Sequence, residues 1–266
     1  MKYGFIGAGN MGGALAQALA KSIPGERIYI ADKDKAKASA LAQQLGASAV
    51  DSVTVAAECD CIILGVKPQV LALALGEIAD TLASRENIVL VSMAAGVEIS
   101  SVREMAGGDY PTIRIMPNTP ASIGEGMILY DYTEDVSAQA LDAFLSDMSA
   151  AGRFDRLPEH LIDAGSAVSG CGPAYVYMMI EALADGGVEC GLPRDKAMMY
   201  AAQMVSGAAQ LVLASGKHPG ELKDAVCSPG GTTIAGVHAL EEGAFRSCAI
   251  NAVTAAYKRT KELGKK

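Results

Sequence analysis

Lys2-Tyr3-Gly4-Phe5-Ile6-Gly7-Ala8-Gly9-Asn10-Met11-Gly12 is the stretch that decides the fold. The apolar run Lys2 to Ile6 reads as a strand. It runs directly into a Gly-x-Gly-x-x-Gly loop, and Gly12 to Lys21 continues as a helix. Each glycine answers a need: Gly7 permits the tight turn, Gly9 lets backbone approach a diphosphate, and Gly12 lets helix and strand pack closely. An anion is favoured at that helix start by free N–H groups and the helix dipole. A Gly-rich turn without function would share the motif. The strand-turn-helix setting, with further units behind it, favours a dinucleotide held by Gly7, Ala8, Gly9, Asn10, Met11 and Gly12.

Outward from the loop, strand and helix alternate. Arg27–Ala31, Cys61–Val66, Ile88–Ser92 and Thr112–Met116 read as strands, with Met127–Tyr130 and Arg153–Arg156 as later ones. The helices between them are Lys33–Leu45, Gln69–Leu82, a short one near Ile99–Met105, and Ser137–Ser149. This predicts a doubly wound, mainly parallel sheet of Rossmann type. From about Glu159 the strands stop. Three helical stretches follow: Pro173–Gly187, Arg194–Ser215 and Thr232–Lys261, the last broken near Gly243. The predicted division is residues 1–158 for dinucleotide binding and 159–266 for an all-helical domain.

The second strand ends Ile30-Ala31-Asp32-Lys33-Asp34-Lys35. Asp32, 20 residues after Gly12, stands where an acidic residue holds the adenosine ribose of NAD. Lys33 and Lys35 could neutralise the 2′-phosphate of NADP, so the residues point both ways. Gly65-Val66-Lys67-Pro68 and Ser92-Met93-Ala94-Ala95-Gly96 fall at strand C-terminal ends, where ligands bind in such sheets. Lys67 either touches the cofactor or caps its strand.

Composition narrows the class. A formal net charge of −8 argues against a nucleic-acid groove, which needs clustered Lys and Arg. The six cysteines form neither a CxxC pair nor a zinc spacing, so no metal site is expected and a reducing cytoplasm fits. Ala197–Gly216 carries no charge and nearly reaches the length of a bilayer span. Gln203, Ser206, Gly207, Gln210 and Ser215 interrupt it, which favours burial in a soluble oligomer over a membrane. The N-terminal apolar run enters the glycine loop and reads as a strand, not a signal peptide.

Ser228-Pro229-Gly230-Gly231-Thr232-Thr233 precedes the last helical stretch. Backbone donors and hydroxyls together suit a carboxylate. An ordinary N-cap has the same look, and the residues leave both readings standing. Ser166 to Pro173 reads as a second loop before a helix, either supporting that pocket or marking a hinge.

These segments carry a resemblance over essentially the whole chain. Gly7–Gly12, Val66-Lys67-Pro68, Met116-Pro117-Asn118-Thr119-Pro120, Ser169-Gly170-Cys171-Gly172-Pro173-Ala174-Tyr175, His218-Pro219-Gly220-Glu221-Leu222-Lys223-Asp224, Ser228–Thr233, Leu240-Glu241 and Phe245-Arg246 resemble the pyrroline-5-carboxylate reductases. The resemblance implies NAD(P)H-dependent reduction of 1-pyrroline-5-carboxylate to proline, with NADP(H) favoured and NAD(H) an alternative. It implies a helical domain that pairs with a second copy as a homodimer, and dimers that assemble into a ring. Carried over by position, Gly230, Gly231 and Thr232 would hold the substrate carboxylate. Thr233 would place its hydroxyl at the ring nitrogen as the catalytic group, and Glu159 would join the pocket. Val66, Lys67, Pro68, Ala94 and Ala95 would line the cofactor, with Asn118 near the nicotinamide. The adenosine phosphate pocket would involve Asp32, Lys33 and Ser52. Cys171 stands where many relatives have Ser.

An absence agrees with this chemistry. The related β-hydroxyacid dehydrogenases use a Lys on the helix after their equivalent glycine loop. Here Pro173-Ala174-Tyr175-Val176-Tyr177-Met178 carries none. A cyclic imine can arrive already protonated; an alcohol substrate would leave its proton unmanaged. Other readings are a different oxidoreductase of this architecture and a non-enzymatic nucleotide sensor. His160, His218 and His238 read as structural or surface residues.

Overall fold

The structure is a computed structural model that describes residues 1–264. The chain forms two compact units: Met1–Cys171 together with the chain's end from Ala256, and Gly172–Ala255.

The first unit is built on one sheet of β1 (Tyr3–Ile6), β2 (Ile28–Ala31), β3 (Ser48–Ala49), β4 (Cys61–Leu64), β5 (Val89–Ser92), β6 (Thr112–Met116), β7 (Gly126–Tyr132) and β8 (Gly152–Arg156). Their order is β3-β2-β1-β4-β5-β6-β7-β8. The strands β1 to β6 run parallel, β7 is antiparallel to β6, and β8 parallel to β7. The sheet is buried on both faces, so its central strands read as unbroken apolar runs. Side chains alternate between two cores. Tyr3, Phe5, Ile63 and Val91 enter one; Ile6, Ile62, Leu64 and Leu90 enter the other.

Strand order reverses between β1 and β4. Ile6 pairs with both Ala31 and Leu64, so β1, β2 and β4 end level. Gly7, Asp32 and Gly65 therefore leave the sheet side by side at the switch point, where sheets of this kind bind ligands.

Helices α1 (Asn10–Leu19), α2 (Lys35–Leu45), α3 (Ser52–Glu58), α4 (Pro68–Gly76), α5 (Ala79–Ala83), α6 (Ile99–Ala106), α7 (Ala138–Asp147) and α8 (Glu159–Ser169) complete this unit. Four of them differ from the sequence reading. The stretch predicted as one helix, Gln69–Leu82, is two. It ends at Gly76, a poor helix former, and Glu77 and Ile78 form a turn before α5 starts at Ala79. The short α3 has too few turns to show a period. Ser166 to Pro173 is not a loop: α8 runs through Ser169, and only Gly170 and Cys171 separate it from α9 (Gly172–Glu189). The Gly170 and Cys171 N–H groups both donate to Ser166 O.

The second unit holds α9, α10 (Arg194–Ser215), α11 (Pro219–Ala225), α12 (Thr232–Glu242) and the start of α13 (Phe245–Leu263), whose last turns belong to the first unit. Packing of α9 on α10 centres on Ala184, Ala197 and Ala201, with Ile180 and Val188 around them. Small side chains bring the two helices close. The outer side of α10 stays bare: Met198, Met199, Tyr200, Met204, Leu211 and Leu213 are exposed in the single chain. By length and composition α10 could cross a membrane.

Candidate active site

The glycine loop is shaped by backbone contact. Gly7 sits at φ +105°, a conformation L side chains rarely adopt. A Cβ on Gly12 would stand 2.2 Å from Gly7 O, so α1 can start here only with glycine. Gly9 behaves differently, since a Cβ there would meet nothing within 4 Å. Gly9 is also the N-cap of α1, which no side chain caps. The first-turn N–H groups of Asn10, Met11 and Gly12 thus open onto a cradle that a methyl group would begin to fill. An anionic diphosphate fits this donor set.

Asp32 is held by two backbone N–H groups. Its Oδ2 accepts the Ala8 N–H at 2.7 Å, and its Oδ1 accepts the Asp34 N–H at 2.9 Å. The carboxylate ties β2 to the glycine loop. The cause is the level ending of β1 and β2, which puts the Ala8 N–H within reach. Asp34 caps α2 by accepting the Lys37 N–H at 3.1 Å, and Lys33 is exposed beside it. Ser52 is the first residue of α3, whose cap is Asp51.

Lys67 is the N-cap of α4 with Pro68 at the first turn, and its own side chain is exposed. Val66 packs partly buried against the second core. Ala94 is buried while Ala95 is exposed, on the segment between β5 and α6. Asn118 is 8% exposed and both ends of its amide are engaged. Its Nδ2 donates to Ser169 O at 2.9 Å, and its Oδ1 accepts the Met127 N–H at 2.9 Å. The residue expected near a nicotinamide is a clamp joining the end of α8 to the start of β7.

Glu159 also makes contacts within the fold. Its Oε1 accepts the Ile99 N–H at 2.6 Å and faces Arg114 Nη1 at 3.3 Å. That carboxylate oxygen holds the start of α6. Arg114 was missed by sequence reasoning. It is 1% exposed, in the middle of β6, and its Nη2 donates to Asp163 at 2.6 Å. Asp163 Oδ2 in turn accepts Lys261 Nζ at 2.9 Å. Arg114 Nε is buried with no partner among the described residues. The available signal was a lone Arg inside the apolar run Thr112-Ile113-Arg114-Ile115-Met116, which needs a buried counter-charge. Burial pushes the Asp163 carboxyl up, but the Lys261 hydrogen bond and the Arg114 charge outweigh it and hold it below the usual carboxylate value.

In the second unit, Ser228 to Thr233 forms a tight turn. Gly230 takes φ +67°, and the Gly231 N–H donates to Ser228 O at 3.0 Å. Gly231 is the N-cap of α12, and no side chain caps that helix. An ordinary hydroxyl cap is therefore not what this turn provides. The exposed N–H groups of the first turn, with Thr232 and Thr233 as its first two residues, suit a small carboxylate. Gly230 and Gly231 border a cavity of about 620 Å³ shared with Lys223, Ile234, His238 and Glu241. His218 is structural: its Nδ1 accepts the Gly220 N–H at the start of α11.

Known proteins match both units. Residues 159–263 match the pyrroline-5-carboxylate reductase dimerisation family, and residues 2–96 match the family described as NADP oxidoreductase, coenzyme F420-dependent. The pyrroline-5-carboxylate reductase of Arabidopsis thaliana is 44% identical over 267 residues, covering 98% of this chain and 95% of the relative. That of Escherichia coli is 40% identical over 268 residues, covering 99% and 98%. A pyrroline carboxylate reductase of Plasmodium falciparum, solved with NADP bound, superposes with a TM-score of 0.90 at 32% identity, covering 99% of this chain and 98% of that one. With identity of this degree over nearly the whole length of both proteins, the chain belongs to the pyrroline-5-carboxylate reductase family.

Proposed function

We infer that this chain reduces 1-pyrroline-5-carboxylate to L-proline, the last step of proline synthesis, with NADPH as the favoured reductant. The observation that carries this reading is the uncapped start of α12 at Gly231, a carboxylate site in a chain that also has a diphosphate cradle. The N–H groups of Gly7–Gly12 would hold the diphosphate, and Val66, Lys67, Pro68, Ala94 and Ala95 would border the rest of the cofactor. When bound, NADPH supplies the hydride that the carbon of the C=N bond accepts.

The chain's own residues have a positioning task. Gly230, Gly231 and Thr232 direct backbone N–H groups at the carboxylate, which fixes the ring. Thr233 holds its hydroxyl for the ring nitrogen, where a proton must reside as the bond is reduced. Helix α9 carries no Lys or His, and an iminium substrate needs none because it brings its own proton. Fixing two reactants in place can be worth ~7–11 kcal/mol.

The protein acts as a homodimer. The unpartnered apolar side of α10 supports pairing through the helical unit, and dimers joining into a ring are the further assembly we propose. Six free cysteines support a soluble enzyme of the reducing cytoplasm.

Following nucleotide oxidation with 1-pyrroline-5-carboxylate and with 3-hydroxyisobutyrate tests the reading. Turnover is expected with the imine alone. Turnover with the hydroxyacid, or none with the imine, rejects it. Titrating NADH against NADPH in the same assay measures the cofactor preference.

A further inference from the structure

The segment from Ala94 to Ile99 is gripped at two places by a closed circuit of contacts. At Gly96 the grip is backbone on backbone. A Cβ on Gly264, just after α13, would stand 2.6 Å from Gly96 O; one on Gly96 would stand 3.2 Å from Thr260 O. Gly96 itself takes φ +73°. At Ile99 the grip is Glu159, which accepts that residue's N–H at 2.6 Å. Between the two grips runs a chain of charges: Lys261 on Asp163 at 2.9 Å, Asp163 on Arg114 at 2.6 Å, and Arg114 on Glu159 at 3.3 Å. The circuit leaves the segment through α13 and returns to it through α8.

Its position gives the circuit a use. The segment follows β5, beside β4 at the C-terminal edge of the parallel strands, and carries Ala94 and Ala95. Shape there is set by backbone, because small side chains fill little space. Arg114 is buried within the sheet and cannot move without breaking its pairs, so it is a fixed post for the charges around it.

We propose that Lys261 and Gly264 are positioning residues for the dinucleotide: they set the backbone of Ala94–Gly96 against which the cofactor rests. The proposal rests on the reading of that segment as a cofactor border. It assigns work to the last turn of α13, distant in sequence from every dinucleotide-binding motif.

The test uses the full-length enzyme. Lys261→Met removes one charge of the circuit, and Gly264→Ala places a methyl group against Gly96 O. Each is expected to weaken NADPH binding roughly 2- to 30-fold, the range of couplings of this type. The kcat at saturating NADPH and the KM for 1-pyrroline-5-carboxylate stay as in the parent. Lys261→Arg restores NADPH affinity. Ala95→Tyr, a bulky change on the segment itself, serves as the control. If Ala95→Tyr abolishes NADPH binding while Lys261→Met and Gly264→Ala leave it unchanged, the positioning role is wrong. It is equally wrong if Lys261→Met lowers the melting temperature alone. If Ala95→Tyr also binds NADPH normally, the segment is no cofactor border and the proposal falls with that reading.

Discussion

The Asp32 carboxylate receives the Ala8 N–H at 2.7 Å, a bond from the end of β2 to the loop that follows β1. Its other oxygen receives the Asp34 N–H, so one side chain orders both turns that follow β1 and β2. Hydrogen bonds to a charged group contribute about 1.5–3 kcal/mol. Asp32→Ala is therefore expected to weaken NADH and NADPH together, by about tenfold each, through a loosened glycine loop. A carboxylate whose work was to grip the ribose would give another pattern, with NADH losing affinity and NADPH gaining. The ratio of kcat/KM for the two nucleotides distinguishes these outcomes.

The glycine loop makes a paired prediction. Gly12→Ala sets a methyl group 2.2 Å from Gly7 O, backbone that has no room to yield, so folding and dinucleotide binding suffer together. Gly9→Ala meets nothing within 4 Å. It is expected to melt at the parent temperature and to lose NADPH affinity, because its methyl group enters the space left for the diphosphate. Thermal melting and NADPH titration of both variants check this. Parent-like NADPH binding by Gly9→Ala would show that the cradle serves no diphosphate.

How far these features could be read from sequence depended on how local their causes are. The strands β1, β2, β4, β5 and β6 were legible because a strand buried on both faces is mostly apolar, the lone Arg114 of β6 apart, and the glycine loop because its spacing is a backbone requirement. The break at Gly76 was not, since one glycine is a weak signal inside an apolar helical period, and neither was the continuation of α8 to Ser169, where tertiary packing outweighed weak local preference. At the site, the uncapped turn at Gly230–Thr233 was visible as two glycines before two threonines. The occupations of Asp32, Asn118 and Glu159 were hidden. Each is fixed by a backbone N–H or C=O from a distant segment: Ala8 for Asp32, Ser169 for Asn118, and Ile99 for Glu159. Pattern along one chain shows that a polar residue needs a partner, but strand register decides which partner it meets.

Thr233 sits one residue inside an uncapped helix start, so its hydroxyl and the N–H groups of that turn belong to one rigid element. Removing the hydroxyl should cost the chemical step while leaving the dinucleotide in place. Thr233→Ala is expected to lower kcat roughly 100- to 1000-fold, comparable to the loss of one proton-handling or electrostatic group. The affinity for NADPH stays constant, and Thr233→Ser retains most of the rate. Steady-state kinetics with direct NADPH titration reads both. An unchanged kcat for Thr233→Ala removes the residue from the mechanism.

The Arg114–Asp163–Lys261 cluster makes stability depend on pH in a defined direction. Asp163 is held below the usual carboxylate value of 3.8, so its stabilisation is present above that unfolded-state value and is lost as pH falls through the lower folded value. Lys261 runs the other way. The Asp163 hydrogen bond raises it above 10.5, so its contribution holds below that value and is lost as pH rises through the folded one. Neutral pH lies between these limits, where both pairs are intact. There Asp163→Asn leaves the buried Arg114 facing only Glu159, a break expected to cost ~3–5 kcal/mol. Urea unfolding of the parent and Asp163→Asn between neutral pH and acid measures the gap. It should stay wide to near 3.8 and narrow below it, as the parent loses what the variant never had. A gap that stays constant into acid would mean that Asp163 carries no charge in the folded protein, and Arg114 would then be neutralised by Glu159 alone.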